Sequence, residues 1–183
     1  MIRLATDGDF DAIAAITNHY IRTTAIHFGT EEQSAGELRS LARDAASTYP
    51  WLVTTDAGGG VCGYAKASVW RARAAYRWTT ETGIYLAPAA CGRGLGAPLY
   101  RRLLAVLRAQ GFHAAIGGIA LPNDASVRLH ERLGFVAASV VPRAGRKFDR
   151  WHDVGFWHLP LQAADHAPRA LQTPAVAFAA TTS

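Results

Sequence analysis

The feature that most constrains this chain is a glycine- and arginine-rich stretch, residues 91–97 (CGRGLGA), which lies between a strand-like run and a helix-like run. The first four N–H groups of a helix have no partner inside the helix, and with the helix dipole they form a site for an anion. Gly92, Gly94 and Gly96 carry no side chains, so a ligand can approach the backbone closely. Arg93 adds a positive charge and a planar set of donors. The stretch predicts a phosphate or pyrophosphate site, or alternatively a tight strand-to-helix turn without a ligand.

Two common phosphate-binding motifs are excluded by their spacing. A P-loop ends in a lysine followed by serine or threonine, and no lysine follows this loop. A dinucleotide fingerprint reads G-x-G-x-x-G, whereas this loop reads G-R-G-L-G, so its third glycine comes one residue too early. An anion site here would therefore belong to another class of cofactor-binding protein.

Hydrophobic periodicity predicts one α/β domain over residues 1–162, with a mixed sheet flanked by helices. The predicted strands cover residues 2–5, 51–55, 62–70, 76–86, 113–120, 135–141 and 153–161. The predicted helices are one capped by Asp7 or Asp9 that runs to about residue 23, one over 34–46, one from Leu95 to the cap at Gly111, and one over 123–133. Residues 163–183 are rich in alanine and lack periodicity, which predicts a flexible tail.

Composition excludes several classes of protein. Half of the 183 residues are hydrophobic, enough for a core, but no apolar run or signal sequence predicts a membrane or secreted protein. The net charge is +5, yet the arginines are scattered, so a nucleic-acid partner is not expected. Cys62 and Cys91 suggest neither a disulfide framework nor a metal site, and the expected location is the cytoplasm.

Two segments together resemble the GNAT superfamily of acetyl-CoA-dependent N-acetyltransferases. The strand–loop–helix of residues 76–111 is similar to the superfamily's [Q/R]-x-x-G-x-[G/A] loop, and LPNDASVRLHERLGF at residues 121–135 is similar to its later helix motif. With NHYI, YPWLV, RARAAYRWTTE and WHDVGFW, the chain resembles the phosphinothricin N-acetyltransferase subfamily from residue 2 to about residue 161. The resemblance implies a mostly antiparallel central sheet, acetyl-CoA as co-substrate, no metal, and a homodimer.

The resemblance also implies where CoA binds. Loop N–H groups would hold its pyrophosphate, the strand end would pair with its pantetheine arm, and the later helix would contact the arm near the sulfur. The residues implied are Ile84, Tyr85, Leu86, Gly92, Arg93, Gly94, Leu95, Gly96, Ala97, Asn123 and Ser126. Cys91 departs from the usual glutamine or arginine, so weaker CoA binding is expected, because a thiol cannot brace the loop as an amide or guanidinium does. Asn123 is alternatively only a helix cap.

Glu81 and His130 are the catalytic pair that the resemblance implies. Glu81 lies within a predicted strand, where a carboxylate is a candidate base but is also typical of a half-exposed surface. His130 takes the position at which many superfamily members carry a tyrosine, and a histidine can act there as acid or base or simply pack on the helix. Which of the two takes the amine proton is left open.

The segment WRARAAY is the expected substrate-binding loop. This segment brings together two guanidinium groups and a hydroxyl, from Arg71, Arg73 and Tyr76, which suit carboxylate, phosphinate or sulfone oxygens. A solvated basic turn without a ligand is the alternative, since it would have the same composition. Phe28 is expected to form an aromatic wall of the pocket, unless it is only an apolar loop residue. The resemblance implies a small amino-acid-like acceptor: phosphinothricin or its demethylated form, or methionine sulfoximine or sulfone.

Other functions compete with this one. A peptide N-terminus or a polyamine could be the acceptor, although the basic residues of the 71–77 loop oppose a polyamine. A CoA-binding domain without turnover is opposed by the presence of both Glu81 and His130. Trp151, Phe156 and Trp157 offer apolar surface for a core or for a dimer interface, and the sequence does not decide between them.

Overall fold

A computed structural model describes residues 1–165 and 167–181. The strands are β1 (Ile2–Leu4), β2 (Trp51–Thr55), β3 (Val61–Val69), β4 (Thr79–Leu86), β5 (Ala114–Ala120), β6 (Val136–Lys147) and β7 (Arg150–Pro160). The α-helices are α1 (Phe10–Thr23), α2 (Ala35–Ala45), α3 (Gly96–Gln110), α4 (Asp124–Arg132) and α5 (Pro174–Ala180). Up to β7, this order of helices and strands is the one that periodicity predicts.

All seven strands form one sheet in the order β1-β2-β3-β4-β5-β7-β6. Among the strands of the described residues, only the β4–β5 pair is parallel, since α3 crosses over between these two strands, and the other neighbours are antiparallel. The predicted mixed, mostly antiparallel sheet flanked by helices is therefore confirmed.

Each face of the sheet packs on its own set of helices. One face, with Trp51, Val53 and Tyr64, is buried by α1 and α2. The other carries the intervening residues, such as Leu52 and Ala65, and is buried mainly by α3. The α3 leucines recur every four residues, at 99, 103 and 107, and all three are fully buried. Gly111 then ends α3 with φ of 97°, a conformation that favours glycine.

Several boundaries differ from the sequence prediction. β4 begins at Thr79, because Ala74–Tyr76 forms a short 3-10 turn. β6 and β7 form a hairpin longer than predicted, joined by a two-residue turn in which Phe148 and Asp149 both have positive φ. The Asp9 carboxylate does not cap α1; instead it accepts two hydrogen bonds from the Arg3 guanidinium, at 2.6 and 2.7 Å.

Part of the segment predicted to be a flexible tail is packed. α5 lies on α3, with Ala177 fully buried and Phe178 beside the core. The Arg102 guanidinium lies 4.2 Å from the centre of the Phe178 ring and donates a hydrogen bond to the carbonyl of that residue. A seven-residue helix is too short to show a clear period, so its few apolar contacts could not be read from the sequence.

No helix in the described ranges is both long and apolar enough to cross a membrane.

Candidate active site

The centre of the candidate site is a gap between β4 and β5. The parallel ladder between them runs only from the pair Thr79–Ala114 to the pair Thr82–Gly117. Beyond it, β4 stays paired with β3 and β5 with β7. The N–H of Ala87 bonds towards β3, so by strand alternation Ile84 and Leu86 turn their backbone groups to the open edge. A chain with amide groups could pair with this edge as an added strand.

The glycine loop lies where this open edge ends. Gly92 and Gly94 have φ of 75° and 76°, and a Cβ added at either residue would meet no atom within 4 Å. The loop thus has both the backbone shape that needs glycine and free space above it. The N–H groups at the start of α3 follow directly, and Arg93 is exposed beside them. These features fit the pyrophosphate of a CoA molecule whose arm enters the gap.

Asn123 and Ser126 are brought to the far side of the gap by α4. The Asn123 side-chain oxygen accepts a hydrogen bond from the N–H of Ser126 at 3.2 Å, so Asn123 does cap the helix. Cys91 is exposed, and its sulfur lies 3.7 Å from the Tyr20 hydroxyl, which in turn donates to the Leu86 carbonyl. The cysteine therefore contacts the loop's support only weakly, through sulfur.

Glu81 projects from β4 on the face that α1 and α2 cover, called here the Glu81 face. It stands over Gly118 of β5, where an added Cβ would lie 3.0 Å from a Glu81 carboxylate oxygen. The carboxylate forms no hydrogen bond with the described residues. Burial raises the pKa of Glu81, while the positive charge of Lys66 on the same face acts in the opposite direction. A carboxylate with a raised pKa and no fixed partner is suited to accept a proton.

His130 lies on the opposite face of the sheet, called here the His130 face. Its Nε2 is 2.9 Å from the Tyr100 hydroxyl, which is 2.6 Å from the Thr82 hydroxyl. Its Nδ1 is 2.8 Å from the Ser126 carbonyl and must therefore carry a proton, which leaves Nε2 to accept. Burial lowers the pKa of His130, so the ring is neutral at pH 7. Glu81 and His130 do not touch; they approach the gap from its two sides.

Two adjacent glycines of β5 allow this arrangement. A Cβ at Gly117 would lie 2.5 Å from the His130 ring, and a Cβ at Gly118 would crowd Glu81. Because successive strand residues point to opposite faces, the pair Gly117–Gly118 makes room for one group on each face at the last rung of the parallel ladder.

The predicted substrate loop lies on the Glu81 face. The Arg71 guanidinium is 5.2 Å from the Trp70 ring and 5.9 Å from the Tyr76 ring, and Trp70 meets Phe156 edge-on at 5.3 Å. Phe156 in turn packs beside Gly118. Arg71, Arg73 and Tyr76 are all exposed, and the loop that carries them is called here the entrance to the Glu81 face.

Phe28 packs on the β6–β7 hairpin rather than directly beside Glu81. Its ring packs against Gly145, and the ring centre is 6.2 Å from that of His152. The ring of the preceding residue, His27, lies tilted against Tyr85 of the Glu81 face, with ring centres 5.6 Å apart, and the His27 carbonyl accepts a hydrogen bond from Lys147 at 2.6 Å. The loop with Phe28 therefore forms one wall of that face, with Phe28 itself 38% exposed.

Sequence reasoning missed Tyr100 and Lys66. Tyr100 follows the buried Leu99 on α3, and only the approach of α4 shows that its hydroxyl meets His130. Lys66 is the one charged residue of β3 and one of only two lysines in the chain, a signal present in the sequence itself. Of the aromatic residues left open above, Trp157 is in the core, Phe156 lines the Glu81 face, and Trp151 is 59% exposed.

The model of the Acetyltransferase (GNAT) family matches residues 13–135, so the chain belongs to that family. A phosphinothricin N-acetyltransferase from Streptomyces viridochromogenes is 46% identical over 156 residues, 85% of each chain. A methionine sulfoximine/methionine sulfone acetyltransferase from Pseudomonas paraeruginosa is 39% identical over 168 residues, 91% of this chain and 98% of that one.

The fold is likewise similar to solved acetyltransferases. The crystal structure of a GNAT phosphinothricin acetyltransferase from Sinorhizobium meliloti in complex with acetyl-CoA superposes with a TM-score of 0.88. It is 32% identical, and the match covers 92% of each chain. Within the described residues, no group of three metal-binding side chains is found.

Proposed function

We propose that this protein transfers the acetyl group of acetyl-CoA to the α-amino group of phosphinothricin or a similar small polar amino acid. The observation that carries the proposal is the gap between β4 and β5, with the glycine loop at its end and Glu81 at its side. The similarity to two kinds of amino-acid-analogue acetyltransferase supports the same acceptor class.

The donor would be held by the open edge of β4 and by the loop. Acetyl-CoA, when bound, supplies an acetyl group activated as a thioester. Backbone groups of Ile84 and Leu86 would align the pantetheine arm, and the N–H groups of residues 92–97 would bind the pyrophosphate. Asn123 and Ser126 would contact the arm from α4.

Glu81 is the base in this proposal. It stands on the face of the sheet that carries the substrate loop, and burial has raised its pKa, so that it can accept a proton from the substrate ammonium. His130 serves the opposite face, where the leaving thiolate would form. The Tyr100 hydroxyl donates to Nε2 of the neutral His130 ring, so this hydrogen-bonded pair would line the thiolate's side of the gap, and the thiolate would take up the proton that the amine loses on acetylation.

Methionine sulfone and methionine sulfoximine form the second candidate substrate class. The relative from Pseudomonas paraeruginosa favours them, and the exposed Arg71 and Arg73 suit sulfone oxygens as well as a phosphinate. Phe28 would bound the acceptor's side chain from the opposite wall.

Thiol release from acetyl-CoA tests the proposal, with phosphinothricin, methionine sulfone, methionine sulfoximine, spermidine and a peptide as parallel acceptors. Glu81→Gln, Tyr100→Phe and His130→Gln are compared with the parent protein, and acetyl-CoA binding is measured separately for each. Turnover of an amino-acid analogue that falls in all three variants while acetyl-CoA still binds is expected. Turnover of spermidine or peptide alone, or acetyl-CoA binding without any turnover, would overturn the proposal.

We further propose that the protein acts as a homodimer in the cytoplasm. β6 is an edge strand with three exposed valines, and Trp151 of the neighbouring β7 is exposed as well; these residues are called here the hairpin patch (Val136, Val140, Val141 and Trp151). An edge strand with exposed apolar side chains suits pairing with a second copy of the chain. Both cysteines are free, which suits a reducing compartment.

A further inference from the structure

We infer that Lys66 binds the α-carboxylate of the acceptor, so that Lys66 and Glu81 together recognise an amino acid by its two backbone charges. This inference rests on the proposed function and adds a specificity residue outside the 71–77 loop. It predicts that the enzyme distinguishes amino acids from amines that lack a carboxylate.

The register of the sheet places the two charges on one face. Lys66 pairs with Gly83 across β3 and β4, while Glu81 pairs with Ser68 two residues along. Lys66 and Glu81 are therefore diagonal neighbours, a relation that separates side chains by about 7 to 8 Å. No salt bridge joins them in the described chain.

Between the two charges the sheet carries only small residues. Gly83 stands directly opposite Lys66, and Gly118 lies beneath Glu81, so neither position carries a side chain, and Ser68, the residue opposite Glu81, carries only a short one. Tyr85 borders this space on β4. The result is a shallow, glycine-floored hollow with a negative group at one end and a positive group at the other.

The Lys66 ammonium is held in place but is not neutralised. It lies 4.6 Å from the centre of the Trp51 ring, a cation–π contact that fixes the end of a flexible side chain. It has no hydrogen-bond partner among the described residues. Burial lowers the pKa of Lys66, while the negative charge of Glu81 acts in the opposite direction. A desolvated cation without an anionic contact is a binding site for a carboxylate.

The other charged and titratable groups nearby leave this role to Lys66. His27 is neutral at pH 7, because burial and the charges of Lys66 and Lys147 lower its pKa to about 4. The Lys147 ammonium is already bound to the His27 carbonyl. Arg71 lies at the entrance, beside the Trp70 and Tyr76 rings, where it would reach the side chain of the acceptor.

An α-amino acid matches this arrangement because its ammonium and carboxylate are attached to the same carbon. With the amine at Glu81, the carboxylate extends over Gly83 towards Lys66, and the side chain extends towards the arginine loop. The hollow thus binds the part common to all amino acids, and the loop selects the side chain.

The test compares methionine sulfone and phosphinothricin with their α-carboxamides in the full-length protein and in Lys66→Met. We expect kcat/KM for the amino acids to fall by about 10- to 100-fold, mainly through KM, since a hydrogen bond to a charged group is lost. The carboxamides should change much less. Lys66→Arg should restore part of the preference. Arg39→Met, which removes another cation placed over a ring, is the matched control and should have no effect.

The outcomes separate this inference from the proposed function. Equal losses for acids and carboxamides in Lys66→Met, accompanied by a shift of the acid limb of the pH profile, would mean that Lys66 acts only through Glu81, and the inference fails. No loss for either substrate, with only a lower melting temperature, also overturns it. If the parent protein acetylates neither amino acid but acetylates spermidine, the proposed function fails, and this inference fails with it.

Discussion

Glu81 combines a cost to stability with a proposed role in catalysis. Its pKa in the folded protein is raised, mainly by burial. A carboxyl group of this kind favours the folded state at low pH, and that stability is lost as pH rises from the unfolded pKa through the folded one. At pH 7 the ionised Glu81 therefore lowers stability relative to a neutral side chain of the same shape.

Glu81→Gln is expected to raise the melting temperature at pH 7 and to lower kcat/KM by about 10²- to 10⁴-fold. In the parent protein, kcat/KM should rise with pH as Glu81 ionises. Calorimetry at pH 4 and pH 7 checks the sign, because the difference in melting temperature should shrink at the lower pH. Glu37→Gln is the control with the opposite sign, since hydrogen bonds from Ser34 lower the pKa of Glu37. A lower melting temperature for Glu81→Gln at pH 7 would contradict the argument.

Gly118→Ala tests the position of the carboxylate. The new methyl group would lie 3.0 Å from a Glu81 oxygen, and the flexible end of that side chain can move away. We expect folding to be retained and kcat/KM to fall by up to about 100-fold, as displacements near 1 Å can cause. Gly8→Ala, where no atom lies within 4 Å of the added group, is the control. Activity equal to that of the parent would show that Glu81 needs no fixed position.

For single residues, the sequence predicts a local role better than it predicts which distant residues lie close together. The glycines of the loop were recognisable because their role is local: backbone shape and a following helix. That Glu81 and His130 lie on opposite faces depends on the pairing of Thr82 with Gly117 and on the approach of α4, which no local pattern encodes. The contact of Lys66 with Trp51 likewise follows only from cross-strand register.

Among the elements, α5 gives the clearest test. Phe178→Ala should lower the free energy of unfolding by about 1 to 3 kcal/mol, because the ring packs beside the core and against the Arg102 guanidinium. Acetyl transfer should be unchanged, since α5 lies on α3 away from the gap. Denaturant unfolding measures the loss, with the exposed Val176→Ala on the same helix as control. An unchanged unfolding midpoint would mean that α5 contributes no stability.

Elements with a strong period were predictable, and those without one were not. α3 was readable from its four-residue leucine spacing and from Gly111, which ends it. The extension of β6 and β7 was not, since residues 142–152 contain Pro142 and Gly145 and are mostly exposed, and such residues also occur in loops. α5 is held by tertiary contacts rather than by periodicity.

For the whole molecule, the hairpin patch predicts association. Val140→Asp places a charge on β6 where the valine is 56% exposed. If this edge is the dimer interface, the variant should shift the protein towards monomer in light scattering at micromolar concentration, with its melting temperature nearly unchanged. Val176→Asp, at an equally exposed valine outside the patch, is the control. A dimer in both variants would place the interface elsewhere, and a monomeric parent would exclude the dimer.

The pair Gly117–Gly118 has a consequence for inhibitor design. At this pair the parallel ladder ends, and Glu81 and His130 approach the gap beyond it from opposite faces of the sheet. A bisubstrate compound, in which a CoA arm is linked to an amino acid, would occupy this gap and contact groups on both faces of the sheet. By binding both faces it would hold the two helical layers together. It would raise the melting temperature by more than the sum of the increases caused by the CoA arm and by the amino acid alone.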